Sequence, residues 1–98
     1  MVDQYAAAPG VRMLDFGEEW IVFNPLSWDA HLLNAAAAIV LEQLSAQPQT
    51  EAEVADYLRD LMMDAERAHA PASARRLIGE LVQLGLVRLV AADASQDR

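Results

Sequence analysis

Residues 31–44 constrain this chain more than any other stretch, because an extended segment passes into an apolar helix within a single residue. His31, Leu32 and Leu33 read as the end of a strand. Asn34 is placed to cap the helix, since its side-chain oxygen accepts one of the N–H groups that a first helical turn leaves without a partner. Ala37, Ile39, Val40, Leu41 and Leu44 then keep close to helical spacing in an alanine-rich run. A helix this apolar needs covering on most of its surface, so it is expected nearly all buried at the centre of a small domain.

Residues 11–33, ahead of that helix, read as three strands. Residues 11–16 and 20–23 are rich in β-branched, aromatic and large aliphatic side chains, and Gly17-Glu18-Glu19 between them makes a short connection that tolerates a positive φ. Asn24-Pro25-Leu26-Ser27 comes next, with Pro at the second position of a type I turn, where its fixed φ fits. Residues 28–33 are the third strand, Trp28, Ala30 and Leu32 on one side and Asp29, His31 and Leu33 on the other. Short turns make an antiparallel meander with Trp20-Ile21-Val22-Phe23 in the middle, and a sheet this small leaves an edge open.

Two more helices are expected after residue 44. Residues 45–49 form a loop, and Thr50-Glu51-Ala52-Glu53 is a capping box. Val54, Tyr57, Leu58, Leu61, Met62 and Ala65 continue from it as an apolar stripe. His69-Ala70-Pro71-Ala72 interrupts that pattern. Pro71 or Ser73 opens a third helix, whose stripe of Ala74, Leu77, Ile78, Leu81 and Leu84 stops at Gly85, the expected left-handed residue past a helix end. Residues 86–90 are a short apolar run suited to a last strand or wing. Residues 1–10 show no period and end in Pro9-Gly10, so they are expected to be a mobile arm, residues 11–90 the domain, and residues 91–98 a fraying tail.

Composition narrows the chemistry. Ninety-eight residues, 54% of them apolar, support one core. The formal charge is −8, every basic residue is arginine, and phosphate backbones are repelled overall, which argues against nucleic acid. Only residues 71–98 lack an acidic excess. There is no cysteine, so disulfides, thiolate metal sites and thiol nucleophiles are all excluded. No apolar run approaches the length of a membrane span and no signal peptide is evident, so the expectation is a cytoplasmic protein away from membranes.

The order of these features, with Trp20-Ile21-Val22-Phe23, His31-Leu32-Leu33-Asn34, Thr50-Glu51-Ala52-Glu53-Val54 and Leu81-Val82-Gln83-Leu84-Gly85-Leu86-Val87, resembles the PqqD family of small peptide chaperones. These are stand-alone forms of the domain that recognises leader segments of ribosomally made, post-translationally modified peptides. It looks most like the PqqD-like proteins of systems with a kinase related to HPr kinase. The resemblance implies an α+β, winged helix-turn-helix-like fold, a three-stranded antiparallel sheet followed by three helices, with no catalytic centre and no cofactor. It also implies that a precursor peptide adds as a strand along Asp29, Ala30, His31, Leu32 and Leu33. The same peptide would pack beside a helix face formed by Arg75, Arg76, Gly79, Val82 and Gln83, and a peptide-modifying enzyme would be the second partner. Arg75 and Arg76 could pair with carboxylates, so an acidic or amphipathic ligand is expected.

Enzyme chemistry finds little support in the residues. His31 and His69 are the only histidines and supply too few ligands for a hydrolytic metal site. Ser27, Ser45 and Ser73 lack a nucleophile elbow and read as turn and cap residues. The acids from Glu51 to Glu66 spread over a solvated helix face. Gly10, Gly17, Gly79 and Gly85 do not cluster into a phosphate loop. Trp20 and Trp28 read as core and sheet-packing residues. Two rival functions stay in view. One is a winged-helix DNA-binding regulator, disfavoured by charge; the other is a dimerising scaffold, since open edges also suit a homodimer.

Overall fold

The computed structural model describes residues 3–17, 19–25 and 28–90. In chain order its elements are β1 (Gln4–Ala7), β2 (Arg12–Asp15), β3 (Trp20–Asn24), β4 (Asp29–Leu33), α1 (Ala35–Ala46), β5 (Gln49–Thr50), α2 (Glu51–Leu61), a 3-10 turn (Asp64–His69), α3 (Ala70–Gln83) and β6 (Val87–Val90). The class is α+β, with three helices and two three-stranded antiparallel sheets among the described residues.

The expected meander is one of those sheets, in the order β2-β3-β4. Its register aligns Met13, Val22 and His31 in one row and Leu14, Ile21 and Leu32 in the next. The β2–β3 connection closes tightly: Gly17 takes φ 91°, its N–H donates to the Asp15 carboxylate at 2.8 Å, and the Phe16 N–H donates to the Glu19 carbonyl.

The second sheet, β5-β1-β6, corrects the sequence reading in two places. Residues 4–7 are no mobile arm; Gln4–Ala7 pairs with β6 from Gln4↔Val90 to Ala7↔Val87, and with β5 through Tyr5↔Gln49. The loop expected over residues 45–49 contributes Gln49 to β5. A four-residue strand whose partner lies some eighty positions along the chain has no local signal to betray it. The remainder of the expected arm, Met1 and Val2, and the expected tail over residues 91–98 lie outside the described residues.

The helices obey their caps. The Asn34 side chain accepts from the Ala37 N–H at 2.9 Å. Thr50 and Glu53 form the reciprocal capping box, at 3.1 and 2.8 Å. At the end of α3, Gly85 has φ 79°, its N–H donates to the Val82 carbonyl and the Leu86 N–H to the Leu81 carbonyl, both at 3.0 Å. These two bonds make a Schellman motif, which turns the chain sharply into β6. Between α2 and α3 the chain forms the 3-10 turn, and α3 begins at Ala70 with Pro71 in its first turn. Of the expected α2 stripe, Leu61 is the last residue of the helix and is exposed, Met62 is its cap, and Ala65 falls in the 3-10 turn, also exposed.

The core joins both sheets to all three helices: Val22 and Leu33 from the meander, Val40, Leu41 and Leu44 from α1, Val54 and Leu58 from α2, Leu77, Ile78 and Leu81 from α3, and Leu86. Each such side chain, fully buried, contributes roughly 1.5–3 kcal/mol of transfer free energy. The α1 helix is less enclosed than its composition suggests, for Ala35, Ala36, Glu42, Ser45 and Ala46 are exposed. Small alanines on its outer side need no cover. One polar side chain ties the meander to the helices: buried Asn24, at the end of β3, donates from Nδ2 to the Gly85 carbonyl at 3.1 Å.

Candidate functional site

Two surfaces carry the residues singled out in the sequence. The first is β4. Among the described residues β4 pairs with β3 only, so its outer border is free, and every second residue along it presents an N–H and a C=O with no strand beside them. Leu33 is buried in the core and His31 half-buried, while Asp29, Ala30 and Leu32 are exposed. The His31 Nε2 is buried with no hydrogen-bond partner among the described residues, and its register partner Val22 sets this side chain on the core side of the sheet. At the far end of β4, Leu32, Leu33 and Asn34 line an open hollow with Phe16, Gly17 and Glu19 from the β2–β3 turn.

The second surface is α3. Arg75, Gly79 and Val82 line a separate hollow with Ile78, the Tyr5 ring of β1, Leu89 of β6 and Glu51 of α2. A Cβ built on Gly79 meets nothing within 4 Å, so the glycine leaves this hollow open. Arg75 is already engaged, its Nε 3.5 Å from the Glu51 carboxylate across the helix pair. Both partners face water, and screening keeps such a pair weak. Arg76 and Gln83 are exposed, and Arg76 has no ionic partner among the described residues.

The expected single groove between strand edge and third helix is thus two hollows. α3 packs against α2, α1 and β6, and it is the unexpected sheet that stands beside its Arg75–Val82 face. Tyr5 and Leu89 were invisible as site residues because the β1–β6 pairing that places them is non-local. Trp28 departs from the expected strand and sheet packing. It lies outside β4, takes φ 63° and is 81% exposed, its ring edge-on to Phe23 at 6.0 Å between centroids. The Trp28 N–H donates to the Asn24 carbonyl, closing a loop whose length calls for a left-handed residue before the returning strand. Leu26 and Ser27 of the expected turn lie outside the described residues.

A comparison with family models settles the relationship. The model described as "Coenzyme PQQ synthesis protein D (PqqD)" matches residues 19–87, from the last residue of the β2–β3 turn to the first residue of β6. The chain belongs to the PqqD family. No curated protein and no solved structure matches it. PqqD proteins are non-catalytic accessory chaperones that bind precursor peptides and associate with the enzymes that modify them, which supports a peptide-binding role here. The matched span contains β3, β4, all three helices and the Gly85 turn, so both candidate surfaces lie inside the PqqD region except for Phe16, Gly17, Tyr5 and Leu89. Among the described residues no group of three or more His, Asp or Glu side chains could hold a metal, and no helix is long and apolar enough to cross a membrane.

Proposed function

We propose that this PqqD-family chain is a non-enzymatic adaptor that takes the leader segment of a ribosomally made precursor peptide as an added strand on β4 and presents it to a modifying enzyme. The observation that carries the reading is the free border of β4, unpaired among the described residues and within the span of the family match. An extended segment laid there gains main-chain hydrogen bonds along Asp29–Leu33, and alternate side chains choose the sequence. In this reading the three helices with β6 behind them form a winged helix-turn-helix-like body. Arg75, Arg76, Gly79, Val82 and Gln83 of α3 supply a second contact for whatever extends beyond the strand.

Titration calorimetry tests it. A precursor peptide encoded beside the gene should bind one to one, while duplex DNA at low salt should not. Tight, salt-sensitive DNA binding would reverse the conclusion, and so would a mass that doubles with concentration while peptide stays unbound.

A further inference from the structure

The face of the meander turned away from the core is apolar and uncovered. By strand alternation and register it carries Leu14, Ile21, Phe23, Ala30 and Leu32, with Arg12 as its one cation, on β2 at the far border. Leu14 and Leu32 are 59% and 64% exposed, whereas Val22 and Leu33 of the opposite face are 0% and 6%. The contact with Phe23 sets the Trp28 indole over this same outer side, where β4 begins. A bulky aromatic in the left-handed region is a conformational outlier, and an exposed one gains no burial in return. Trp28 therefore carries two costs in the free chain, strain and hydration, that contact with a partner would offset.

The free border of β4 says what kind of partner that is. A body that lies flat on the outer face leaves the N–H and C=O groups of the border unpaired, whereas an extended segment hydrogen-bonds to them and sends every second side chain over the apolar face. Ala30, small and exposed, stands between Trp28 and Leu32 and leaves a notch for one large side chain. Charge gives the flanks. Asp29 opens β4 and Glu19 lines the hollow at its other end, with no arginine on β4 or among the residues lining that hollow, in a chain of net charge −8. The same charge works against a second copy pairing edge to edge.

We propose that Trp28, Ala30 and Leu32 form the selecting surface of the β4 border. They read an extended segment with apolar side chains at alternate positions, the largest seated over Ala30, and with basic residues at its ends. The inference rests on strand addition to β4 and names its ligand class; of the acidic or amphipathic ligand expected from Arg75 and Arg76, which belong to the other surface, it keeps the apolar alternation and exchanges the acidic flanks for basic ones.

The test uses a synthetic peptide with lysine at both ends and leucine, phenylalanine and leucine alternating with threonine between them. Its companions are a glutamate-ended version and an isomer with the apolar residues contiguous. Affinity is read by calorimetry and the binding place by backbone amide shifts. Trp28→Gly relieves the left-handed strain but gives up the edge contact with Phe23, two effects of similar size, so this variant should melt within a few degrees of wild type, and thermal unfolding run beside the titration separates a binding loss from misfolding. The lysine-ended alternating peptide should bind tightest, shift the amides of β4, and lose about tenfold in affinity on Trp28→Gly and on Leu32→Thr, the loss expected for removing one apolar anchor. If β4 amides shift but Trp28→Gly binds as wild type, or the glutamate-ended peptide binds as well, the selecting surface is wrong while strand addition survives. If the peptide binds without touching β4, or the chain only pairs with itself, both readings fall.

Discussion

The bond from Asn24 to Gly85 holds the meander against the end of α3, and its removal should be measurable. Asn24 is 5% exposed and its Nδ2 donates to the Gly85 carbonyl at 3.1 Å. In Asn24→Ala the carbonyl loses a donor worth about 1 kcal/mol net, and the missing amide leaves a small void costing up to ~1 kcal/mol more. The sum, about 1–2 kcal/mol, corresponds to a fall in melting temperature of roughly 4–16 °C for a domain of this size. Asn24→Asp is the sharper probe. It keeps the shape but turns an acceptor toward an acceptor and buries a charge, so at neutral pH it should be the less stable variant. Protonation restores a donor there, and burial raises the folded-state pKa of the new carboxyl above its unfolded value. The penalty relative to wild type should therefore be absent below the ordinary carboxylate range and grow as pH rises through the folded pKa. Thermal and urea unfolding of the three proteins between acid and neutral pH would decide the matter. An Asn24→Ala variant within about 1 °C of wild type, equivalent to about 0.1–0.25 kcal/mol, would refute the reasoning, as would an Asp variant with a pH-independent deficit.

Three further outcomes rest on single residues. Gly79→Ala should stabilise the fold by up to about 1 kcal/mol, because the new Cβ meets nothing and α3 gains helix propensity; urea midpoints would show it. Gly85→Ala should destabilise by about 1 kcal/mol through backbone strain alone, since φ is 79° and the added methyl also meets nothing; the two alanine variants should thus move in opposite directions in one assay. Thr50→Ala removes the acceptor of the Glu53 N–H and should cost about 1 kcal/mol, seen as a lower melting temperature with unchanged helical circular dichroism at low temperature.

The parts of the fold that could be read from the sequence are those whose causes are local. Asn34, Thr50–Glu53 and Gly85 set helix ends through bonds spanning three to five residues, and each does so in the structure. The β2-β3-β4 meander was legible because its turns are short and its strands adjacent. The β5-β1-β6 sheet was not, because Gln4-Tyr5-Ala6-Ala7 carries no period of its own and acquires a strand conformation only from Val87–Val90 and Gln49. That omission also misplaced the surroundings of α3, whose Arg75, Gly79 and Val82 face Tyr5 and Leu89 rather than the border of β4. Trp28 failed for a third reason: aromatic residues usually go inside, and only loop geometry reveals one held outside in a left-handed conformation. Asp29, Ala30, Leu32 and Leu33 lie on β4, which among the described residues pairs with β3 alone.

Amide hydrogen exchange along β4 tests the central claim most directly. With a precursor peptide added, the outward-facing amides of Asp29–Leu33, fast in the free chain, should slow in proportion to the fraction of protein bound and approach full protection at saturation, while those already bonded to β3 change little. Peptide bound at saturation with those outward amides still exchanging at their free rate would contradict the account.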